Sequence, residues 1–295
     1  MSSQILRGAI DNHIHCCPHI NERSTNIFEV VRYAEKNKMH AIGLMDNFSN
    51  TSGYAALVKK FFPKIKLKVF GGLIMEPPSG GVNLENVKIA LNYSYFKNDG
   101  AKFISFPTHH TRYVAKIEKR KKSYIKKCFF VPASGPTKET KKILKLIAQN
   151  NLVLNTGHLS DNETINLVKA AKKIGVKKIL VPSNTFSEQT IYKLKKFKVK
   201  FEFSYFFISS ATNVPLTHVD GEKHKIKGTN EDALKILIKA ANPKNVILSS
   251  DCGVSVLPKP YIGFSKFINK VIKLGFSKKE IEYMIRTNSK KLFNL

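Results

Sequence analysis

The sequence predicts an α/β fold: a parallel, eight-stranded (β/α)8 barrel of the TIM type with extra C-terminal helices. Strand-like and helix-like segments alternate eight times along the 295 residues, and no stretch rich in proline, glycine and serine divides them. This alternation is typical of a parallel sheet with helical crossovers, and eight such units make a barrel. An open doubly wound sheet is disfavoured because no dinucleotide-type glycine fingerprint follows the first strand. We therefore expect residues 1–295 to form a single domain.

The predicted strands are short apolar segments that end at polar residues or glycine. They cover residues 9–15, 40–45, 67–73, 102–107, 152–156, 178–182, 200–204 and 246–250. The predicted helices carry apolar residues at helical spacing, as Ile27, Val30 and Val31 do in the first of them. They cover residues 26–38, 51–62, 84–96, 137–150, 162–174, 188–196, 232–241, 263–274, 277–285 and 288–295. Two long connections remain, at residues 108–136 and 205–230.

The net charge of +29 raises the question of nucleic-acid binding. Six of the 50 basic residues are arginine and the other 44 are lysine, which are spread along the chain. Because arginine is the better residue for bidentate contacts to phosphates and bases, we expect no specific nucleic-acid partner.

Hydropathy and cysteine content bear on the compartment. No apolar run approaches the ~18 residues of a membrane span, and the first eight residues lack the apolar core of a signal peptide. The four cysteines contain no Cys-x-x-Cys pair and do not form a disulfide framework for a chain of this length. We expect a soluble, cytoplasmic protein with reduced thiols and no membrane contact. Its oligomeric state is not indicated.

The candidate site follows from the predicted fold, because barrel active sites lie at the C-terminal ends of the strands. Five of the nine histidines fall at such ends. They are His13, His15, His109, His110 and His158. Asp251 follows the last predicted strand and reaches the same end of the barrel.

His13 and His15 are one residue apart in a strand, so both side chains point to the same face. Together with His158 and Asp251 they form a plausible set of metal ligands. Nitrogen and oxygen ligands of this kind suit Zn²⁺, with Mn²⁺, Fe²⁺ or Ni²⁺ as alternatives. Arg23, His109 and His110 are candidate substrate-binding residues, and Arg23 would bind an anionic group. The alternative for Arg23 is a surface ion pair.

At these residues the chain resembles the amidohydrolase-related superfamily of metal-dependent hydrolases, and within it a poorly characterised family. The resemblance spans nearly the whole chain in order. Its motifs are Asp11-Asn12-His13-Ile14-His15, Pro18, Arg23, Phe70-Gly71-Gly72, Gly80-Gly81-Val82-Asn83, Phe106-Pro107-Thr108, Thr156-Gly157-His158-Leu159-Ser160, Ser250-Asp251-Cys252-Gly253 and the segment 287–295.

The resemblance implies a mechanism in which the first-strand histidines hold the metal. It further implies that His158 ligates the metal or polarises the substrate, and that Asp251 binds the metal and takes a proton from the attacking water. The sequence departs from the family pattern at Met45, Asn47, Ser183 and the pair His109-His110, where the family has further metal-site residues. We therefore expect one metal ion rather than two, with His109 or His110 filling a position that is normally supplied elsewhere.

The leading interpretation is an enzyme, a metal-dependent hydrolase of an amide, lactone or related C–N or C–O bond in a small molecule. A metal-dependent phosphoesterase or nuclease is one alternative, favoured by the lysine-rich surface and disfavoured by the missing second-metal ligands. The other is a degenerate, non-catalytic barrel that binds a ligand, supported by Met45 and Ser183 at site positions. Nothing in the sequence identifies the substrate.

Overall fold

The computed structural model describes residues 2–97, 99–217 and 223–295. Its strands are β1 (Ile10–Ile14), β2 (Ala41–Leu44), β3 (Lys68–Phe70), β4 (Gly72–Ile74), β5 (Phe103–Ser105), β6 (Val153–Asn155), β7 (Lys178–Pro182), β8 (Lys200–Ser204), β9 (Leu216–Thr217), β10 (Lys223–His224) and β11 (Val246–Ser249). Seven of the eight predicted strand segments each contain one of these strands, and the segment 67–73 contains β3 and most of β4.

The α-helices are α1 (Ser2–Leu6), α2 (Ile27–Lys36), α3 (Ser52–Phe61), α4 (Leu84–Asn92), α5 (Arg112–Ile117), α6 (Lys122–Lys127), α7 (Lys138–Gln149), α8 (Asp161–Ile174), α9 (Glu188–Lys195), α10 (Glu231–Ala241), α11 (Pro260–Lys273), α12 (Lys278–Glu282) and α13 (Asn288–Phe293). A π-helical turn, Tyr283–Thr287, joins α12 to α13. Capping residues explain several helix starts. Asn26 and Ser160 each form a capping box with the glutamate three residues later.

The strands form two parallel sheets, in the order β1-β2-β3 and β11-β8-β7-β6-β5-β4. Only Gly71 separates β3 from β4. At the other sheet edges, the backbone N–H of His15 donates to the Cys252 carbonyl at 2.8 Å, and the Asp251 N–H donates to the His13 carbonyl at 2.9 Å. The predicted parallel α/β fold is confirmed, and these bonds bring the C-terminal ends of β1 and β11 together.

Alternate strand residues enter two apolar clusters, as the two-residue period of a strand requires. Ile42 and Leu154 belong to a large cluster that includes the buried helix residues. Their neighbours Ala41 and Val153 belong to a second, inner cluster that consists mainly of strand residues. Leu292 and Phe293 of α13 join the inner cluster. The C-terminal helix therefore packs against this cluster of strand residues.

Several details differ from the sequence prediction, among them the short helix α1 (Ser2–Leu6), which was not predicted. The third strand is interrupted at Gly71, where an added Cβ would lie 2.2 Å from the Thr51 carbonyl oxygen. The connection 108–136 contains α5 and α6, whose six residues each are too few for a clear apolar period. The connection 205–230 contains short 3-10 turns and the antiparallel pair β9–β10.

Within the described ranges, no helix has the length and apolar character needed to cross a membrane.

Candidate metal centre

The candidate metal centre lies where the end of β1 meets the end of β11. His13 lies in β1 and His15 directly after it, and their ring centroids are 5.1 Å apart. Asp251 follows β11 with φ of +50°, a left-handed conformation that aspartate adopts more readily than most residues. Because its N–H is bonded to the His13 carbonyl, the carboxylate is held beside both imidazoles.

Asp251 Oδ1 lies 3.3 Å from His13 Nε2 and 3.2 Å from His15 Nε2. Ligand atoms of these three residues all lie within 4.8 Å of one another, the only such group among the residues described. They line a cavity of about 360 Å³. Two imidazole nitrogens and a carboxylate oxygen, converging in a cavity, fit a divalent ion such as Zn²⁺.

The electrostatics of the centre favour a positive charge. Burial lowers the pKa of His13, but the carboxylates of Asp251 and Glu202 outweigh it and raise that pKa to about 9. Burial lowers the pKa of His15, so its imidazole is neutral at pH 7 and keeps a free lone pair. Burial opposes ionisation of Asp251, yet the neighbouring histidines lower its pKa. Asp251 is therefore ionised and able to accept a proton or bind a cation.

Glu202 is a buried carboxylate that the sequence analysis missed. Its Oε1 accepts from Asn12 Nδ2 at 2.9 Å and lies 3.3 Å from His13 Nδ1. With Nδ1 donating to Glu202, Nε2 is the His13 ring nitrogen that faces Asp251, and an ion bound there would replace the Nε2 proton. The sequence did contain a sign of a buried carboxylate. Glu202 stands between two phenylalanines in a predicted strand, and β8 is almost entirely buried.

His158 is half-buried and lines the same cavity, although it is not part of the group of three ligands. Gly157 precedes it with φ of +67°, and an added Cβ there would lie 2.3 Å from the Pro107 carbonyl oxygen. Burial lowers the pKa of His158, so its ring is neutral at pH 7. Metal ligation by His158 stays a prediction, as does a direct role towards substrate.

The two adjacent histidines after β5 are directed differently. His109 lines the cavity. His110 instead lies against α6, where its Nδ1 is 3.3 Å from the Tyr124 hydroxyl and its Nε2 is 3.1 Å from the Lys127 carbonyl oxygen. The structure thus brings His109 to the site but places His110 beside it.

Glu76 is fully buried and fixes this histidine segment. Its Oε1 accepts from the backbone N–H groups of Thr108 and His109 at 2.6 Å, and its Oε2 accepts from that of His110 at 3.1 Å. Glu76 was not among the candidate site residues expected from the sequence. Its role depends on residues more than 30 positions away, which no local pattern reveals.

We expect Glu76→Gln to lower the free energy of unfolding by about 1–3 kcal/mol, because an amide NH2 would face a backbone donor in a buried place. Urea unfolding would measure the change. Glu85→Gln is the control, since Glu85 is largely exposed and pairs only with Lys88 nearby. Equal effects of the two substitutions would contradict the role assigned to Glu76.

Arg23 lies at the cavity beside the candidate metal ligands. One of its terminal nitrogens is 2.6 Å from His19 Nε2, and its Nε is buried without a hydrogen-bond partner. Burial and the nearby Arg23 lower the pKa of His19 to about 4, so His19 is a neutral acceptor. Arg23 therefore contributes a charged side chain to the wall of the cavity rather than to the outer surface. His19 was not anticipated from the sequence.

The positions where the resemblance led us to look for further metal-site residues hold other side chains. Met45 is buried and apolar. Asn47 Oδ1 accepts from the Thr108 hydroxyl at 3.3 Å, and Ser183 donates its hydroxyl to the Val181 carbonyl at 2.6 Å. None of these side chains belongs to the three-ligand group found among the described residues. The number of ions stays a prediction.

Solved structures with the same fold were found by comparison. The probable dipeptidase PvdM from Pseudomonas aeruginosa has a TM-score of 0.63 at 9% identity, with 99% of this chain and 96% of that chain covered. An amidohydrolase from Burkholderia multivorans with bound zinc has a TM-score of 0.62 at 10% identity, covering 97% and 99%. A putative 2-pyrone-4,6-dicarboxylic acid hydrolase from Pseudomonas putida has a TM-score of 0.59 at 11% identity, covering 97% of each chain.

At these identities the likeness shows the fold alone, and that fold is shared with a protein described as an amidohydrolase, as the resemblance implied. No curated protein matches the sequence. The model of a family of unknown function matches residues 8–200, which include all the candidate site residues except Asp251. Because this match covers well over half of the 295 residues, the chain belongs to that family, DUF6282.

Proposed function

We propose that this protein is a metal-dependent hydrolase that uses water to cleave an amide, lactone or related C–N or C–O bond of a small molecule. The observation that carries the proposal is the convergence of His13, His15 and Asp251 in a cavity at the C-terminal strand ends. The three solved structures of similar fold are described as a dipeptidase, an amidohydrolase and a pyrone hydrolase, which agrees with this class.

In this proposal His13, His15 and Asp251 hold one divalent ion, with His158 as a fourth candidate ligand. When bound, such an ion acts as a Lewis acid and lowers the pKa of water towards about 7. Asp251 accepts the proton of the attacking water, because its carboxylate is ionised. The other carboxylate oxygen, Oδ2, accepts a hydrogen bond from the Ser204 hydroxyl at 3.2 Å. His158, being neutral, can donate a hydrogen bond to the substrate or ligate the ion.

The guanidinium of Arg23 favours a substrate that carries an anionic group. A partly buried guanidinium with an unpartnered Nε is a strong donor towards a carboxylate or phosphate. His109 stands across the same cavity and would contact the substrate from the β5 side. We retain His110 only as a residue that supports this segment from outside the cavity.

Three further proposals complete this function. The strands close into one eight-stranded barrel, supported by the β1–β11 backbone bonds and by the single residue between β3 and β4. The whole chain acts as one domain around that barrel. The protein works in the cytoplasm, a compartment compatible with its four free cysteines.

Metal analysis of the purified chain tests the function. We expect about one Zn²⁺, Mn²⁺ or Fe²⁺ per chain in the wild type and none in the double variant His13→Ala/His15→Ala. A metal-loaded wild type would then be screened against amides, lactones and esters that carry a carboxylate. A chain that remains metal-free after incubation with these ions would refute the hydrolase and leave a non-catalytic, ligand-binding barrel.

A further inference from the structure

A second cavity of about 370 Å³ adjoins the candidate metal centre. The two cavities share five lining residues, His109, His158, Pro182, Phe207 and Ile226. The shared residues lie at the boundary between the two cavities, and a substrate arm that reached the second space would pass the His109 and His158 rings. The volume of the second cavity falls within the ~300–1000 Å³ of small-molecule sites.

The wall of this second cavity is mainly apolar. Val114 and Ile117 of α5 contribute one side, and Leu159, Phe186 and Phe207 contribute the other. Lys225 and Lys227 also line it and are exposed, so they mark its solvent side. An apolar group would lose its contact with water here, and the charged groups of the wall are the Glu118 carboxyl and these two lysines.

One polar side chain in the wall has an unused donor. Asn184 is only 6% exposed, and its Oδ1 accepts from the Ser204 N–H at 3.1 Å. This bond fixes the orientation of the amide, so Nδ2 is the remaining donor group. Nδ2 is buried without a hydrogen-bond partner. A buried donor left unpaired is costly, and an acceptor oxygen on a ligand would remove that cost.

We propose that this cavity is a specificity subsite for an apolar arm of the substrate, aliphatic or aromatic, that carries one acceptor oxygen for Asn184 Nδ2. That the arm belongs to a substrate rests on the proposed hydrolase function. Binding of the arm itself depends only on the apolar wall and on Asn184. The substrate class is thus a small molecule with an anionic group near Arg23 and an apolar arm beyond His158.

Binding of a homologous series of primary amides tests the subsite without turnover. Butanamide, hexanamide and octanamide would be titrated calorimetrically into the chelator-treated chain and into the Zn²⁺-loaded chain. Burial of each added methylene should strengthen binding about fourfold. The same dependence on chain length should appear with and without metal, because the apolar wall does not include His13, His15 or Asp251.

Three variants locate the binding. Ile117→Trp places a larger side chain at the cavity wall and should abolish the dependence on chain length. Ile272→Trp is the matched control, since Ile117 and Ile272 are 47% and 42% exposed helical isoleucines and only Ile117 lines the cavity. Asn184→Asp keeps the acceptor for Ser204 but removes the donor, and should weaken binding of every amide about fivefold. Thermal unfolding would establish that each variant is folded.

Affinity that does not increase with chain length, or equal affinities in the two tryptophan variants, would overturn the subsite. The absence of measurable octanamide binding would do the same. If the amides bind as expected but the loaded chain hydrolyses nothing, the subsite stands and the hydrolase proposal fails. If turnover is found without chain-length dependence, the hydrolase stands and the subsite fails.

Discussion

Replacing Asp251 with asparagine is expected to lower the turnover of any substrate by about 10²–10⁴-fold, the usual contribution of a general base. The amide keeps the shape of the side chain and an oxygen that can bind a metal ion. It cannot accept a proton as the ionised carboxylate does. Because Asp251 Oδ1 lies between the two histidines, at 3.3 and 3.2 Å, the oxygen is already placed beside the proposed ion.

The measurement compares kcat and metal content of the same samples. We expect Asp251→Asn to retain the ion through His13 and His15 while kcat falls. Asp99→Asn is the control for loss of a negative charge, since Asp99 pairs with Lys59 and Lys102 at the surface. A variant with full metal content and unchanged kcat would exclude Asp251 as the base.

The fold was predictable because the strands are consecutive apolar segments between clear helical periods. The prediction located the site by one rule, that side chains after parallel strands meet at one edge, and the structure brings His13, His15 and Asp251 together in this way. The helices α5 and α6 were not predicted, since each has only six residues and half of those in α6 are lysines.

The supporting residues were harder to predict because their partners are distant in sequence. Glu202 contacts His13 across 189 positions, and Glu76 contacts the segment 108–110 across 32 or more. A charged residue in a buried strand signals that a partner exists but does not identify it. The orientation of His110 towards α6 was equally hidden, because it depends on a helix that the sequence did not reveal.

Glu202→Gln is expected to weaken metal binding by about 10–100-fold, the usual effect of losing a carboxylate that supports a metal-binding histidine. The substitution retains an oxygen for the hydrogen bonds from Asn12 and His13 but removes the charge. His13 then becomes a weaker ligand, since the carboxylate no longer stabilises positive charge on its ring. Competition with a fluorescent zinc chelator would measure the dissociation constant.

Glu76→Gln is a matched control, because Glu76 is another fully buried glutamate, and it contacts neither His13 nor His15. It should lower stability and leave metal affinity close to that of the wild type, whereas Glu202→Gln should lower metal affinity. Glu202→Asp, which restores the charge, should recover part of the lost affinity. If both glutamine variants weakened metal binding equally, general destabilisation would explain the result, and Glu202 would have no specific effect on His13.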